Sequence, residues 1–180
     1  IGVAIEPSTK FVEANLETPV PTSGSDEDKI KISTIEVVAA AGVADASMTR
    51  IARNLQVSTG SVYPKFKNVN EVIGESFSWS IERIVSDNTA AYFATEGNTD
   101  SYASVIVGSL SESRKSWRNF RLEMYLASRA HEYLSKKMVP GLKVSDAILA
   151  KFVRKNGIPE YYIEKVVGLM HALGLSLIHI

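Results

Sequence analysis

Apolar residues in this chain recur at three- and four-residue steps from about residue 29 onward, and no stretch of strand length alternates convincingly. That spacing collects them on one face of a helix, whereas a strand needs a period of two. Residues 29–41 carry Ile32, Ile35, Val38 and Ala39 on one face, and Gly42 supplies a stop. Ser47 stands before Met48, Ile51, Ala52 and Leu55, spaced i, i+3, i+4, i+7, and reads as an N-cap. Ser58 caps a second short helix over 58–66 with Val62 and Phe66 inward. Asn68 then caps a long one bearing Ile73, Phe77, Ile81, Ile84 and Val85. The stripe Trp117, Phe120, Met124, Ala127, His131, Leu134 and Met138 predicts one continuous helix of about six turns, closed by Pro140-Gly141. A helix over 142–153 follows, with a stop near Asn156-Gly157, and Pro159 opens a final apolar helix from Glu160. The expected fold class is all-α.

Composition narrows the chemistry. With 180 residues, 45% of them hydrophobic and 22% charged, the chain can bury a core and is not generally disordered. It has no Cys, which excludes disulfides, thiolate zinc sites, iron–sulfur clusters and cysteine nucleophiles. The 20 basic and 20 acidic residues cancel overall but are unevenly spread. Residues 1–28 carry a net charge of −5, residues 42–70 a net +3 and residues 114–137 a net +5. The last of these blocks reads as a solvated face before a second nucleic-acid site. Residues 19–25, rich in Pro, Gly and Ser, have the character of a linker. The expected organisation is an acidic leader or tail of a preceding segment over 1–25, a helical head over 26–67 and a helical body over 68–180. The apolar run 166–180 ends in mid-pattern, as though a following element were lost, and the closing Ser-Leu-Ile-His-Ile could be foreign to the natural protein. That run is too short for a membrane span and no signal peptide precedes the head, so a cytoplasmic protein with no membrane partner is expected.

The most specific feature lies between residues 42 and 68. Two short helices joined by a tight turn and packed under a third make a helix-turn-helix. Gly42, Ser47, Ile51-Ala52, Val57-Ser58, Gly60, Val62-Tyr63, Phe66 and Asn68 are similar to the motif of the DNA-binding domain in the TetR family of bacterial transcriptional regulators. The resemblance covers residues 29–75. Three positions depart from the motif: Gln56 stands where Gly is usual, Pro64 falls inside the second helix, and Val69 replaces a frequent Lys. Independently, Met48, Ile51, Ala52, Leu55, Val57, Val62 and Phe66 read as the core between the two helices. Thr59, Gly60 and Ser61 are left to meet base edges in a major groove, Tyr63 and Lys65 to meet phosphate, and Lys67 to stand in for the missing Lys. Ser47 and Thr49, with Ser58 at the head of the second helix, complete the expected DNA contacts. Arg50 and Arg53 read equally as phosphate contacts or as a solvated face.

The resemblance implies a homodimer on a palindromic double-stranded operator, acting as a repressor released by a small-molecule effector. The body would supply both pocket and dimer interface. Phe77, Trp117, Met124, Tyr125 and His131 are the candidate pocket residues, although a core histidine bonded to backbone explains His131 as well. Ile163, Val167, Met170, Leu173 and Leu177 form the candidate dimer face, with burial inside one subunit as the competing account. His131, His171 and His179 make no metal-binding spacing, and no phosphate loop or nucleophile elbow occurs, so neither an enzyme nor a cofactor is expected. The competing expectation is a helical ligand-binding or protein-interaction module with a vestigial DNA-binding head.

Overall fold

The computed structural model describes residues 24–94, 108 and 110–176. The chain is all-α, and no strand occurs among the described residues. Most of the expected leader and the candidate Leu177 lie outside those residues, as does the side chain of Leu173. Among the described residues six helices run α1 Asp26–Ala41, α2 Met48–Asn54, α3 Val69–Ala94, α4 Lys115–Ser128, α5 Glu132–Lys155 and α6 Glu160–Ser176. Short 3₁₀ turns at Thr59–Ser61 and Glu112–Arg114 precede α3 and α4.

Helix α1 starts three residues before its apolar face because Ser25 caps it. The Ser25 hydroxyl accepts from the Asp28 N–H at 3.2 Å, and Asp26, Glu27 and Asp28 complement the positive end of the helix. Asn68 caps α3 by accepting from the Glu71 N–H at 2.9 Å. The Glu71 carboxylate accepts in return from the Lys67 N–H, one residue before the cap, a shifted variant of the capping box.

Two expectations about the body are corrected. The stripe from Trp117 to Met138 is not one helix: α4 ends at Ser128, and His131, extended at φ −122° and ψ 94°, opens α5. Steps of three and four are equally satisfied by two helices that turn their apolar faces to one core, so periodicity alone passes over the corner at 129–131. Pro140-Gly141, in contrast, does not end a helix. Helix α5 runs through it to Lys155. Gly141 is buried against α3, where a Cβ would lie 2.9 Å from the Ser78 Cα, and the Ser78 hydroxyl donates to the Lys137 carbonyl at 3.4 Å. Packing of Leu134, Met138, Ser145 and Val153 on one side of α5 outweighs the hydrogen bond that Pro140 removes.

The interior has two main clusters. In the head, Ile30, Val37, Met48, Ile51, Ala52, Val62, Phe66 and Val72 pack together. In the body, Ile35, Val38, Ile73, Phe77, Ile81, Trp117, Phe120, Met124, Leu134 and Met138 do so. Fully buried side chains such as Phe77, Phe120 and Ile51 contribute about 1.5–3 kcal/mol each. Helix α1 supplies Ile30 and Val37 to one cluster and Ile35 and Val38 to the other, and Val69 packs against both. A third, smaller cluster joins α5 and α6 through Val153, Ile163 and Val167.

Candidate nucleic-acid interface

Helix α2 is fixed on α1 by polar as well as apolar contacts. Met48, Ile51 and Ala52 turn inward, while Thr49, Arg50 and Arg53 are exposed. Ser33, buried within α1, donates to the Ile51 carbonyl at 2.9 Å. The Asn54 amide donates to the Ser33 hydroxyl at 3.1 Å and to the Glu36 carboxylate at 2.7 Å. Sequence reasoning missed this clamp. Its one visible sign is a hydroxyl pair, Ser33-Thr34, set among the apolar positions of α1.

The chain leaves α2 by a defined turn. The Gln56 N–H donates to the Arg53 carbonyl and the Val57 N–H to the Ala52 carbonyl, both at 3.0 Å, and Gln56 adopts φ 58°. This is a Schellman ending with a non-glycine residue in its left-handed position. The turn carries Val57 outward to 40% exposure, which corrects its expected place in the core.

The second element also differs from expectation. Instead of a helix over 58–66, the chain makes a 3₁₀ turn at Thr59–Ser61 and continues through turns to Lys65. Bonds from Val62 and Tyr63 both end on the Thr59 carbonyl, and bonds from Lys65 and Phe66 both end on the Val62 carbonyl. Pro64 has no N–H to give the Gly60 carbonyl, and glycine itself favours helix poorly, so regular α geometry does not propagate here. Val62 and Phe66 still anchor the segment, at 0% and 5% exposure.

What that anchoring leaves outside is polar. Ser58, Gly60, Ser61, Tyr63, Lys65 and Lys67 are exposed and Thr59 is half-buried. Tyr63 stands 53% exposed. A Cβ on Gly60 would meet only the Ser58 hydroxyl at 3.6 Å, so nothing inside the chain demands a glycine there. Ser58 and Ser61 hydroxyls lie 3.0 Å apart. Ser47 is half-buried, and its hydroxyl caps α2 by accepting from the Arg50 N–H at 3.2 Å. The nine candidate contacts thus fall on one stretch around the head, 47–67, with Ser47 already engaged in the fold.

Elsewhere the candidate residues are placed as follows. Phe77, Trp117 and Met124 are buried in the body core, with Tyr125 packed against them; the Tyr125 and Phe77 rings meet edge to face at 6.2 Å. His131 stands apart, half-buried at the α4–α5 corner. Burial raises the Tyr125 hydroxyl pKa above its ordinary value; nearby Arg121 opposes the shift and Asp146 adds to it. The basic stretch 114–137 is not uniformly solvated. Burial lowers the guanidinium pKa of both Arg114 and Arg121, and Arg114 donates to Asn88 at 2.9 Å. On α6, Ile163 and Val167 pack against α5 in the same chain, with Met170 beside them. The outer side of α6 presents Tyr161, Leu169 and Ala172. No group of His, Asp or Glu that could hold a metal occurs among the described residues, and no helix among them is long and apolar enough to cross a membrane.

No protein-family model matches the sequence, and no curated protein matches it. Solved structures do match. A protein from Rhodococcus sp. described as a TetR-family transcriptional regulator superposes with a TM-score of 0.67 at 16% identity, covering 83% of each chain. The fatty acid degradation regulator FadR from Bacillus halodurans gives 0.65 at 16% identity, covering 87% of this chain and 86% of its own. A transcriptional regulator from Rhodococcus sp. Rha1 gives 0.67 at 16% identity, with 86% and 82% covered. At such identities the likeness is one of fold, and the fold is that of TetR-type regulators.

Proposed function

We propose that this chain, folded as TetR-type regulators are, is a DNA-binding transcriptional regulator that lays the segment 58–67 into a major groove. The observation that carries this reading is the division of labour within that segment. Val62 and Phe66 hold it from beneath, while Thr59, Gly60, Ser61, Tyr63, Lys65 and Lys67 face outward or to the edge. Short hydroxyls beside an unobstructed glycine suit base edges; a phenol and two ammonium groups suit phosphate. The finer reading is a homodimeric repressor on a palindromic operator, released when a small molecule binds among the helices of the body near Tyr125. Half-sites lie about 34–36 Å apart, so two heads must be held at a fixed spacing. With Ile163 and Val167 occupied by α5, the partner would meet the outer face of α6 around Tyr161 and Leu169.

The test is a titration of the full chain against duplexes that it selects from a random pool. Tyr63→Ala and Lys65→Ala are both expected to weaken binding across all sequences, and Lys65→Ala, which removes a charge, also to flatten its salt dependence by about one unit of log–log slope. Unchanged affinity in both variants, with the thermal melt intact, overturns these contacts. No retention of any duplex at micromolar protein in low salt favours a helical ligand-binding module with a vestigial head.

A further inference from the structure

The DNA-facing segment is not electrostatically free. Lys65 Nζ lies 3.9 Å from the carboxylate of Glu27, on the first turn of α1, with both side chains roughly half exposed. Asp26, one residue earlier, is engaged within its own helix by Lys29 at 3.3 Å. Glu27 instead reaches across to the second element of the head. A half-exposed pair of this length contributes little to stability, so holding the fold together does not account for it. Its effect falls on the charge offered to a polyanion. While Lys65 is paired, the segment presents one positive charge fewer, and docking on phosphate must either break the pair or carry a carboxylate toward the backbone.

Resting on the reading of this segment as DNA-facing, we propose that Glu27 is a built-in brake on DNA binding: it withholds Lys65 from phosphate and sets the affinity of the head below what its cations allow. The brake is a positioning residue, acting through Lys65, and it is tuned by ionic strength because screening loosens the pair as it loosens the complex.

The experiment measures fluorescence anisotropy of a labelled 30-base-pair random-sequence duplex titrated with the full chain across a salt series. Glu27→Gln is expected to tighten binding about three- to tenfold at low salt, to steepen the log–log salt slope by up to about one, and to lose its advantage as salt rises. Because the gain runs through Lys65, most of it should vanish when Glu27→Gln is added to Lys65→Ala. A wild-type chain that binds while Glu27→Gln binds equally or more weakly overturns the brake and leaves the DNA reading standing. So does a gain of undiminished size in the Lys65→Ala background, which would be a general charge effect. Absence of binding by every variant overturns the DNA reading and the brake together. Glu27 is exposed and one of three acids on the first turn of α1, so thermal melts of the variant should fall by no more than a few degrees.

Discussion

Gln56 and Gly157 occupy the same position in two copies of one turn. Each follows a helix as the left-handed residue, at φ 58° and φ 77°, and each turn closes with the same pair of backbone bonds. An L side chain in that region costs about 1–2 kcal/mol, whereas glycine gives up only some chain entropy. Gln56→Gly should therefore stabilise the protein by about 1 kcal/mol, and Gly157→Ala should destabilise it by a similar amount, both read from urea denaturation. A Gln56→Gly variant less stable than its parent would show that the glutamine side chain holds the turn in some other way. Tyr125 supplies the pH-dependent counterpart. Its hydroxyl pKa is raised in the folded chain, chiefly by burial, so the neutral form is favoured by folding. The sign follows: this stabilisation is complete below about pH 10 and is lost as pH climbs through the folded value. Tyr125→Phe should keep its melting temperature further into alkali than the parent does.

Among the helices, α5 is where local preference and tertiary packing disagree most plainly. Pro140-Gly141 is a stop signal by local rules, yet the helix crosses it because Gly141 is where α5 comes closest to α3. A methyl at that position meets the Ser78 backbone, so Gly141→Ala should destabilise by about 1–2 kcal/mol despite the better helix propensity of alanine. Equal or greater stability, measured by thermal melt, would mean that the two helices separate without cost. The same conflict explains what could be read from residues alone. Caps at Ser47 and Asn68, the faces of α2 and α3, and the anchors Val62 and Phe66 follow from short-range spacing, and the structure has them. The break at 129–131 was illegible because two helices on one core repeat the period of a single helix. The clamp of Asn54 on Ser33 and the reach of Glu27 to Lys65 join residues 18 or more positions apart. No local pattern encodes such partners. In the candidate site the identities of the outward residues were legible, but the 3₁₀ geometry that presents them and the outward turn of Val57 were not.

At the scale of the molecule, the outer face of α6 makes the strongest demand. Tyr161 and Leu169 stand 74% and 58% exposed on it; Lys165 lies over the Tyr161 ring at 4.3 Å, whereas Leu169 is left to water. If that face joins two copies, Leu169→Glu should convert a dimer to a monomer by light scattering. DNA affinity should then fall at least tenfold, since the second head is no longer held near its half-site. A variant that remains dimeric places the interface elsewhere. Helix α1, for its part, belongs to both cores at once, with Ile30 and Val37 on one side and Ile35 and Val38 on the other. A head built this way has no private melting transition. Amide protons along the middle of α1 should exchange with solvent only when the whole chain opens, and heat should unfold head and body in one step.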